Sequence, residues 1–590
     1  MKNNPTYLGS VLSVSGGSLI VLLTAQVRSG LLIIGGRTHK IGQVGSFVRI
    51  PQGYNNLYGV ISETAESTAS GLDDSDPERR TVRVELVGEA IGDEFERGIS
   101  QFPSIGDEAH LVTEEDLRKI YGSQSDGQVV IGRLSSSDGI DVSVDLDDLV
   151  NRHSALLGST GSGKSTSVSS LLRSVVAGPS DEILKPSSRI VLFDIHGEYA
   201  SALGDISTVY SVFPRQDEKR LFIPYWCVSP ESLIEFLCGQ NELVKNKFMD
   251  AIVDEKKAFA KENSMDIDID KITPYTPLPF RLKRIWYDLS FEDNVNWYDK
   301  EKTKPAFDDE GDAEQLRSPK FKPPSQRTDS HVAKGGAQVM KRSLDLMKSR
   351  LTDSQYEFFL SPGDWNPDAD GNIKSDLSDL IGSWVGGDKP VTILDLSGMP
   401  SARLSLLLGA VLDVLFEAAI WGRNLEEGMK KAPLLLVMEE AHRYLSNESI
   451  GFSKEMVRRI AKEGRKFGVG LMLVSQRPSE IDETILSQCG TMFALRINNA
   501  TDRARVKSAM SDGLSGIVDA LPILRTGEAI VTGEAAKLPM RCRFKVPREG
   551  RFPDSRDPKV SESWSKPYKA MDYRKLVESW RKQNAYLDDE

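Results

Sequence analysis

Short β-branched apolar runs separated by turn pairs dominate the first 125 positions. The runs 10–14, 19–24, 31–34, 45–50, 57–61 and 81–87 are punctuated by Gly16-Gly17, Ser29-Gly30 and Gly35-Gly36. That spacing predicts a small antiparallel barrel over 1–125. The polar stretch 63–80, with Asp73-Asp74-Ser75-Asp76-Pro77, reads as one extended, solvated hairpin loop. The apolar run 17–25 has the length of a signal-peptide core. The segment before it is nearly uncharged and broken by Ser15-Gly16-Gly17, so a buried strand is expected instead.

From position 126 the texture changes to strands alternating with helical repeats, the pattern of a parallel sheet with crossover connections. Strands are expected at 129–131, 154–157 and 190–193, with a helix carrying Val168, Leu171, Leu172, Val175 and Val176 on one face. Between about 216 and 385 the spacing is helical: Leu233, Phe236 and Leu237, then Phe248 and Ile252, later Leu344, Met347 and Leu351. Within it, 299–336 is rich in Lys, Asp, Glu and Pro, which predicts a mobile loop. Sheet strands resume at 391–396, 434–438, 470–474, 491–495, 528–531 and 541–546. The organisation read from this is a barrel (1–125), a first core part (126–240), a helical insert (241–385), a second core part (386–546) and a tail (547–590). In the tail, Tyr573, Leu576, Val577 and Trp580 form one apolar stripe, expected to brace the chain itself or strap onto a neighbouring subunit.

Composition narrows the class. Among 590 residues, 74 Lys and Arg stand against 86 Asp and Glu, a net charge of −12. A protein coating nucleic acid with its whole surface is excluded, so any such contact is local. Cys227, Cys238, Cys489 and Cys542 form no CxxC pair, which argues against a zinc site or disulfide framework and for a reducing, cytoplasmic setting. The longest apolar stretch, 404–420, carries Asp413 and Glu417, so no membrane-spanning helix is expected.

The chemistry concentrates in a few strings. Gly158-Ser159-Thr160-Gly161-Ser162-Gly163-Lys164-Ser165-Thr166 matches G-x-x-x-x-G-K-[ST] throughout. Glycines let backbone N–H groups turn inward around phosphate oxygens, Lys164 supplies charge to the β and γ phosphates, and Ser165 offers a hydroxyl to Mg²⁺. ATP and Mg²⁺ are therefore the expected ligands. The run 434–438 ends in Glu439-Glu440-Ala441-His442, a strand finishing in acids. Glu439 takes the Mg²⁺ side, where Asp is usual, and Glu440 the position of general base on water. A second acidic strand end, Phe193-Asp194-Ile195-His196-Gly197-Glu198-Tyr199, lies between them.

Together these strings resemble the HerA family of hexameric DNA translocases, within the FtsK and HerA group of P-loop motors, in its bacterial form. The resemblance extends through Arg458 to Gly468, Val474-Ser475-Gln476-Arg477-Pro478 and Gly527-Glu528-Ala529-Ile530-Val531, and takes in the N-terminal barrel. It implies an α/β fold: a RecA-like P-loop ATPase core with an N-terminal antiparallel barrel and a helical insert. It implies a homo-hexamer with duplex DNA in its central pore. Gln476 would sense the γ-phosphate or orient water, and Arg465 would reach the neighbouring subunit's nucleotide, with Arg459 and Lys466 as rival fingers. Asp194, His196 and Glu198 would border the nucleotide or couple it to the pore, His196 being equally readable as a structural histidine. The resemblance implies that family members act with effectors, a nuclease in DNA end processing or a nuclease or sirtuin-like NAD-consuming enzyme in phage defence, which would dock on the barrel. The rival reading is an ATP-responsive ring scaffold that controls such an effector without processive translocation.

Overall fold

The structure is a computed structural model. It describes residues 4–582 apart from 25–26, 28–30, 35–36, 41, 67–79, 93, 122–126, 136, 179–181, 216, 300, 326–330, 447–450, 511–514, 556–558 and 568–571.

The N-terminal strands close on themselves. Ser18–Leu23, Tyr7–Ser15, Glu108–Leu111, Phe47–Gln52, Asn55–Glu66 and Arg80–Ile91 pair in that order, and the last returns to pair with Ser18–Leu23. All contacts are antiparallel, giving a six-stranded barrel filled by residues such as Leu8, Leu19, Val21, Ile50 and Val84. The run 19–24 is thus a barrel strand, as its interrupted flanks predict. Two expectations need correction. Leu31–Ile34 pairs only with Arg37–Lys40 in a separate hairpin. A helix, Glu114–Tyr121, also stands in the segment read as wholly β, with Asp116 accepting from Thr113 N at its start. The hairpin predicted around 63–80 exists, since Glu66 pairs with Arg80, and its tip at 67–79 lies outside the described residues.

The second sheet has twelve strands. Eight run parallel, in the order Thr491–Ala494, Ser154–Leu157, Val469–Ser475, Leu434–Met438, Arg189–Asp194, Val391–Asp395, Ser207–Ser211 and Lys219–Arg220. Four antiparallel strands extend it beyond Thr491–Ala494, from Glu528–Gly533 out to Ser137–Asp145. The central strands are buried on both faces, which is why their sequences are continuous apolar runs. The helix Ser401–Trp421 is long and apolar enough to cross a membrane, yet two thirds of its apolar window is buried inside the fold and Asp413 accepts from Ser229 N.

Helices Pro230–Cys238, Glu242–Glu262, Leu282–Asn294 and Lys341–Thr352 form the insert around Phe248, Trp286, Leu344 and Met347. The stretch predicted as a mobile loop is instead folded where it is described. Asn296–Trp297 pairs with Ala333–Lys334, and Phe307–Asp309 with Lys320–Phe321. Phe307 stacks on Phe321 at 5.2 Å between ring centroids, and both meet Phe291. Two aromatic anchors in a charged background thus suffice to fix the segment. The tail helix Arg574–Lys582 leaves Tyr573, Leu576 and Trp580 at 62, 59 and 76% exposure, so among the described residues these three positions of the stripe are not covered by their own chain.

One glycine reports how tightly the sheet is covered. A Cβ on Gly470 would collide with the Val150 carbonyl oxygen, whereas one on helical Gly382 meets nothing within 4 Å. Gly470→Ala should lower the Tm sharply, by several degrees, through overpacking worth ~1–3 kcal/mol. Gly382→Ala should leave the Tm unchanged or raise it, by up to ~1 kcal/mol of helix propensity. Differential scanning calorimetry of the pair checks this.

Candidate active site

Strand register brings the chemistry to one level. Leu157 lies opposite both Ser475 and Ala494, Met438 opposite Leu473 and Phe193, and Asp194 opposite Asp395. The residues that follow these strands therefore line a single crevice at the carboxyl edge of the parallel sheet, the usual ligand position in such folds.

The loop 158–163 leads from its strand into helix Lys164–Val176. Gly161 and Gly163 have φ of 75° and 87°, the left-handed region that glycine tolerates. Gly163 precedes the helix without a side-chain cap, so the first amide N–H groups of the helix remain available to an anion. Neighbouring segments clasp the loop. Ser159 N donates to Arg496 O at 2.9 Å, Arg496 Nη2 donates to Gly161 O at 2.8 Å, and Gly527 N donates to Ser162 O at 2.9 Å. Thr160 Oγ1 donates to Gln476 Oε1 at 2.6 Å, which places Gln476 against the loop. Ser165 and Thr166 occupy the helix's first turn.

Lys164 Nζ pairs with Glu440, the two side chains being 10% and 7% exposed. Glu440 sits at φ 45° and ψ 44°, a left-handed conformation that costs a non-glycine residue ~1 kcal/mol or more. His442 Nδ1 lies 3.1 Å from the other Glu440 oxygen and 3.1 Å from Ser475 Oγ. Burial pushes the Glu440 carboxyl up, but His442 and Lys164 outweigh it and hold the group at about 2.

Glu439 is 1% exposed and accepts from Ile195 N at 3.3 Å. Burial, then the charges of Asp194 and Glu198, push its carboxyl well above the usual range, against the pull of Lys164. Asp194 caps its own turn by accepting from His196 N, Gly197 N and Tyr199 N. Burial drives it up to about 6 despite these donors, with Asp395 adding to the rise. His196 is exposed on that turn, and Glu198 is half-buried, its backbone oxygen accepting from Asp554 N.

The expected residues are thus gathered, with one exception. Arg465 is exposed in the last turn of helix Phe452–Phe467, which runs from the acidic strand's exit back to the entrance of Val469–Ser475. It therefore lies about 20 Å, a strand's length, from its own phosphate loop. Of its rivals, Arg459 pairs with Glu417 at 2.8 Å, and Lys466 is exposed. Sequence reasoning missed Arg496, His442 and Asp395 as site residues. A polar residue immediately after, or closing, a buried apolar strand was the available signal for Arg496 and Asp395, and the Glu-Glu-Ala-His string for His442. Among the described residues no group of three or more His, Cys, Asp or Glu side chains could hold a metal ion by itself.

Glycine loop, open helix terminus, lysine and two strand-end glutamates on a parallel sheet define a P-loop ATPase. The family model "Helicase HerA, central domain" matches residues 129–414, and "Helicase HerA-like C-terminal" matches 384–541. The chain belongs to the HerA family. It is similar to the DNA double-strand break repair helicase HerA of Sulfolobus acidocaldarius, 28% identical over 485 residues covering 81% of this chain and 80% of that one. It is also similar to the enzyme of the same name from Pyrococcus furiosus, 24% identical over 90% of this chain and 88% of that one. VirB4 of Thermoanaerobacter pseudethanolicus aligns in space over 72% of this chain and 98% of its own, with 16% identity and a TM-score of 0.45. These two HerA relatives are archaeal, and the bacterial form is an expectation from sequence strings alone.

Because the folded chain binds the Glu439 proton more tightly than the unfolded chain does, this carboxyl weakens the fold progressively as pH rises above ~4.5. Without nucleotide and in EDTA, Glu439→Gln should raise the Tm at pH 8, and the gap from wild type should close towards pH 4.5. Thermal scans across that range test it.

Proposed function

We propose that this chain forms a homo-hexameric ring that hydrolyses ATP to move on or unwind double-stranded DNA, in the cytoplasm and with a partner effector. The observation that carries the reading is the buried Lys164–Glu440 pair, which joins the phosphate loop to the end of the acidic strand. The names of the HerA relatives support DNA as the track. The uncapped helix terminus and the two left-handed glycines suit a triphosphate, and Ser165 with Glu439 would hold Mg²⁺, Glu439 through water given its length. Magnesium, when bound, neutralises phosphate charge at the transferred group.

The residues then divide the work. Lys164 exchanges Glu440 for phosphate oxygens. Losing that cation removes one of the forces holding the Glu440 carboxyl low, so it becomes a stronger base for the attacking water just when substrate is present. Gln476, released from Thr160, orients that water or senses the γ-phosphate. Arg465, remote from its own loop, serves the neighbouring subunit's nucleotide. Asp194, His196 and Glu198 link this edge to the pore side.

The scaffold reading is favoured by one observation. Tyr54, Ile91, Phe102 and Ile105 are 98, 50, 59 and 73% exposed on the barrel. Ile91 pairs with Asn55 beside Tyr54, while Asp107, bonded to Gln52 and Ser104 N, ties the other two nearby. Such an apolar patch suits an effector of either class, a nuclease or a sirtuin-like NAD-consuming enzyme in phage defence.

ATP hydrolysis with and without linear duplex DNA at fixed low salt, with Lys164→Ala as blank, separates the readings. Strong stimulation is expected, and hydrolysis indifferent to DNA favours the scaffold. Glu440→Gln should keep nucleotide binding and lose turnover by ~10²-fold or more; turnover at the wild-type rate would remove Glu440 as base. Mixing Arg465→Ala with Lys164→Ala subunits should restore partial hydrolysis if the arginine acts across the interface, and absence of rescue would refute that role.

A further inference from the structure

On the outer side of the phosphate-loop helix lies a second, separate cleft of about 730 Å³. Its walls are the C-terminal half of helix Lys164–Val176, the strands Gln128–Leu134 and Met540–Phe544, and the segment that follows to Arg551. Six cations line it: Arg133, Arg173, Arg543, Lys545, Arg548 and Arg551. Asp141 lies 3.7 Å from Arg133, and Asp205 pairs with Arg173 and with Arg551 at 3.2 Å. This concentration of cations stands in a chain whose net charge is −12.

The walls are built rather than fortuitous. Arg173 is 7% exposed and fixed by Ala202 O and Asp205. Ser170 Oγ donates to Lys545 O at 2.7 Å, and Lys545 N donates to Ile131 O at 3.2 Å. Phe544 N donates to Gly527 O at 3.0 Å, joining this wall to the turn that holds Ser162. Partial burial holds the Lys545 ammonium below the usual lysine range, which an anion beside it would relieve. The helix residues lining the cleft, Ser170 to Ala177, lie roughly 9 to 20 Å beyond Lys164 along the axis. Phosphates seated on the glycine loop do not reach that far end.

We propose that this cleft binds a small phosphate-bearing anion of nucleotide size, at a place distinct from the catalytic phosphate loop. Its volume is that of a small-ligand site. Among its lining residues the one aromatic ring, Phe544, is buried, so the cleft offers no platform for stacking the bases of a nucleic-acid strand. A ligand here touches the same helix whose first turn receives ATP, and so bears on the loop's geometry.

Among the described residues Lys545 is the only lysine lining the cleft, which allows a residue-resolved test. The full chain is labelled with an amine-reactive acetylating reagent and digested, and Lys545 and Lys164 are read separately by mass spectrometry. Inorganic tripolyphosphate is compared with sodium chloride at matched ionic strength. Tripolyphosphate should slow Lys545 labelling several-fold, and Arg543→Glu should abolish that protection while the variant's Tm stays at the wild-type value. Arg543→Gln, removing charge without reversing it, should give an intermediate effect and serves if the glutamate variant misfolds. Protection of Lys164 alone would overturn the proposal. So would protection of Lys545 by duplex DNA but not by tripolyphosphate, which would make the cleft a nucleic-acid contact.

Discussion

Lys164 and Glu440 are both nearly shut off from water, and two charges in that position are tolerable only while each compensates the other. The pair draws its partners from elements 276 residues apart, so it exists only when the phosphate-loop strand and the acidic strand are correctly placed in the sheet. Val469–Ser475 lies between them, and its own end supplies Ser475 to His442 and Gln476 to Thr160. The surrounding charges make this edge of the sheet electrostatically uncomfortable. Glu439, Asp194 and Asp395 are all buried close by, and burial first, with the neighbouring carboxylates adding to it, pushes Glu439 and Asp194 up. A cluster of buried carboxyls of this kind is suited to receiving a cation.

The legible part of this chain was the local part. Nine consecutive residues encode the phosphate loop because every element of its chemistry is covalently adjacent. The continuous apolar runs likewise marked the parallel strands, since burial on both faces removes alternation. What stayed hidden depends on distance in sequence. Arg496 clasps Gly161 from 335 residues away, and nothing next to either residue announces it. The segment around Phe307 and Phe321 misled because charge dominates its composition while two rings decide its fold. The tail stripe was correctly periodic, but periodicity states that a face wants cover and does not say which surface provides it.

Clasping of the loop from three directions also limits how it can move. Residues 159 to 162 are held by Arg496 and Gln476, which follow two strands, and by Gly527, which precedes a third. Gln476 also opens the turn that follows Val469–Ser475. That turn ends at Asp482, whose carboxylate meets Lys454 and Arg458 on the helix that carries Arg465. In the proposed ring, the route from the phosphate loop to Arg465 would be a short series of ion pairs and hydrogen bonds.

The closure of the N-terminal strands has a consequence for recognition. Among the described residues the six strands close into a ring, so a partner finds no open end strand there to extend. The added strand Glu94–Arg97 is itself tied to the ATPase body, Arg97 Nε donating to Lys537 O at 3.2 Å. Whatever meets the barrel ring must read side chains at its rim. Its choice of partner can then diverge by surface substitution alone, without disturbing the hydrogen-bonded frame beneath.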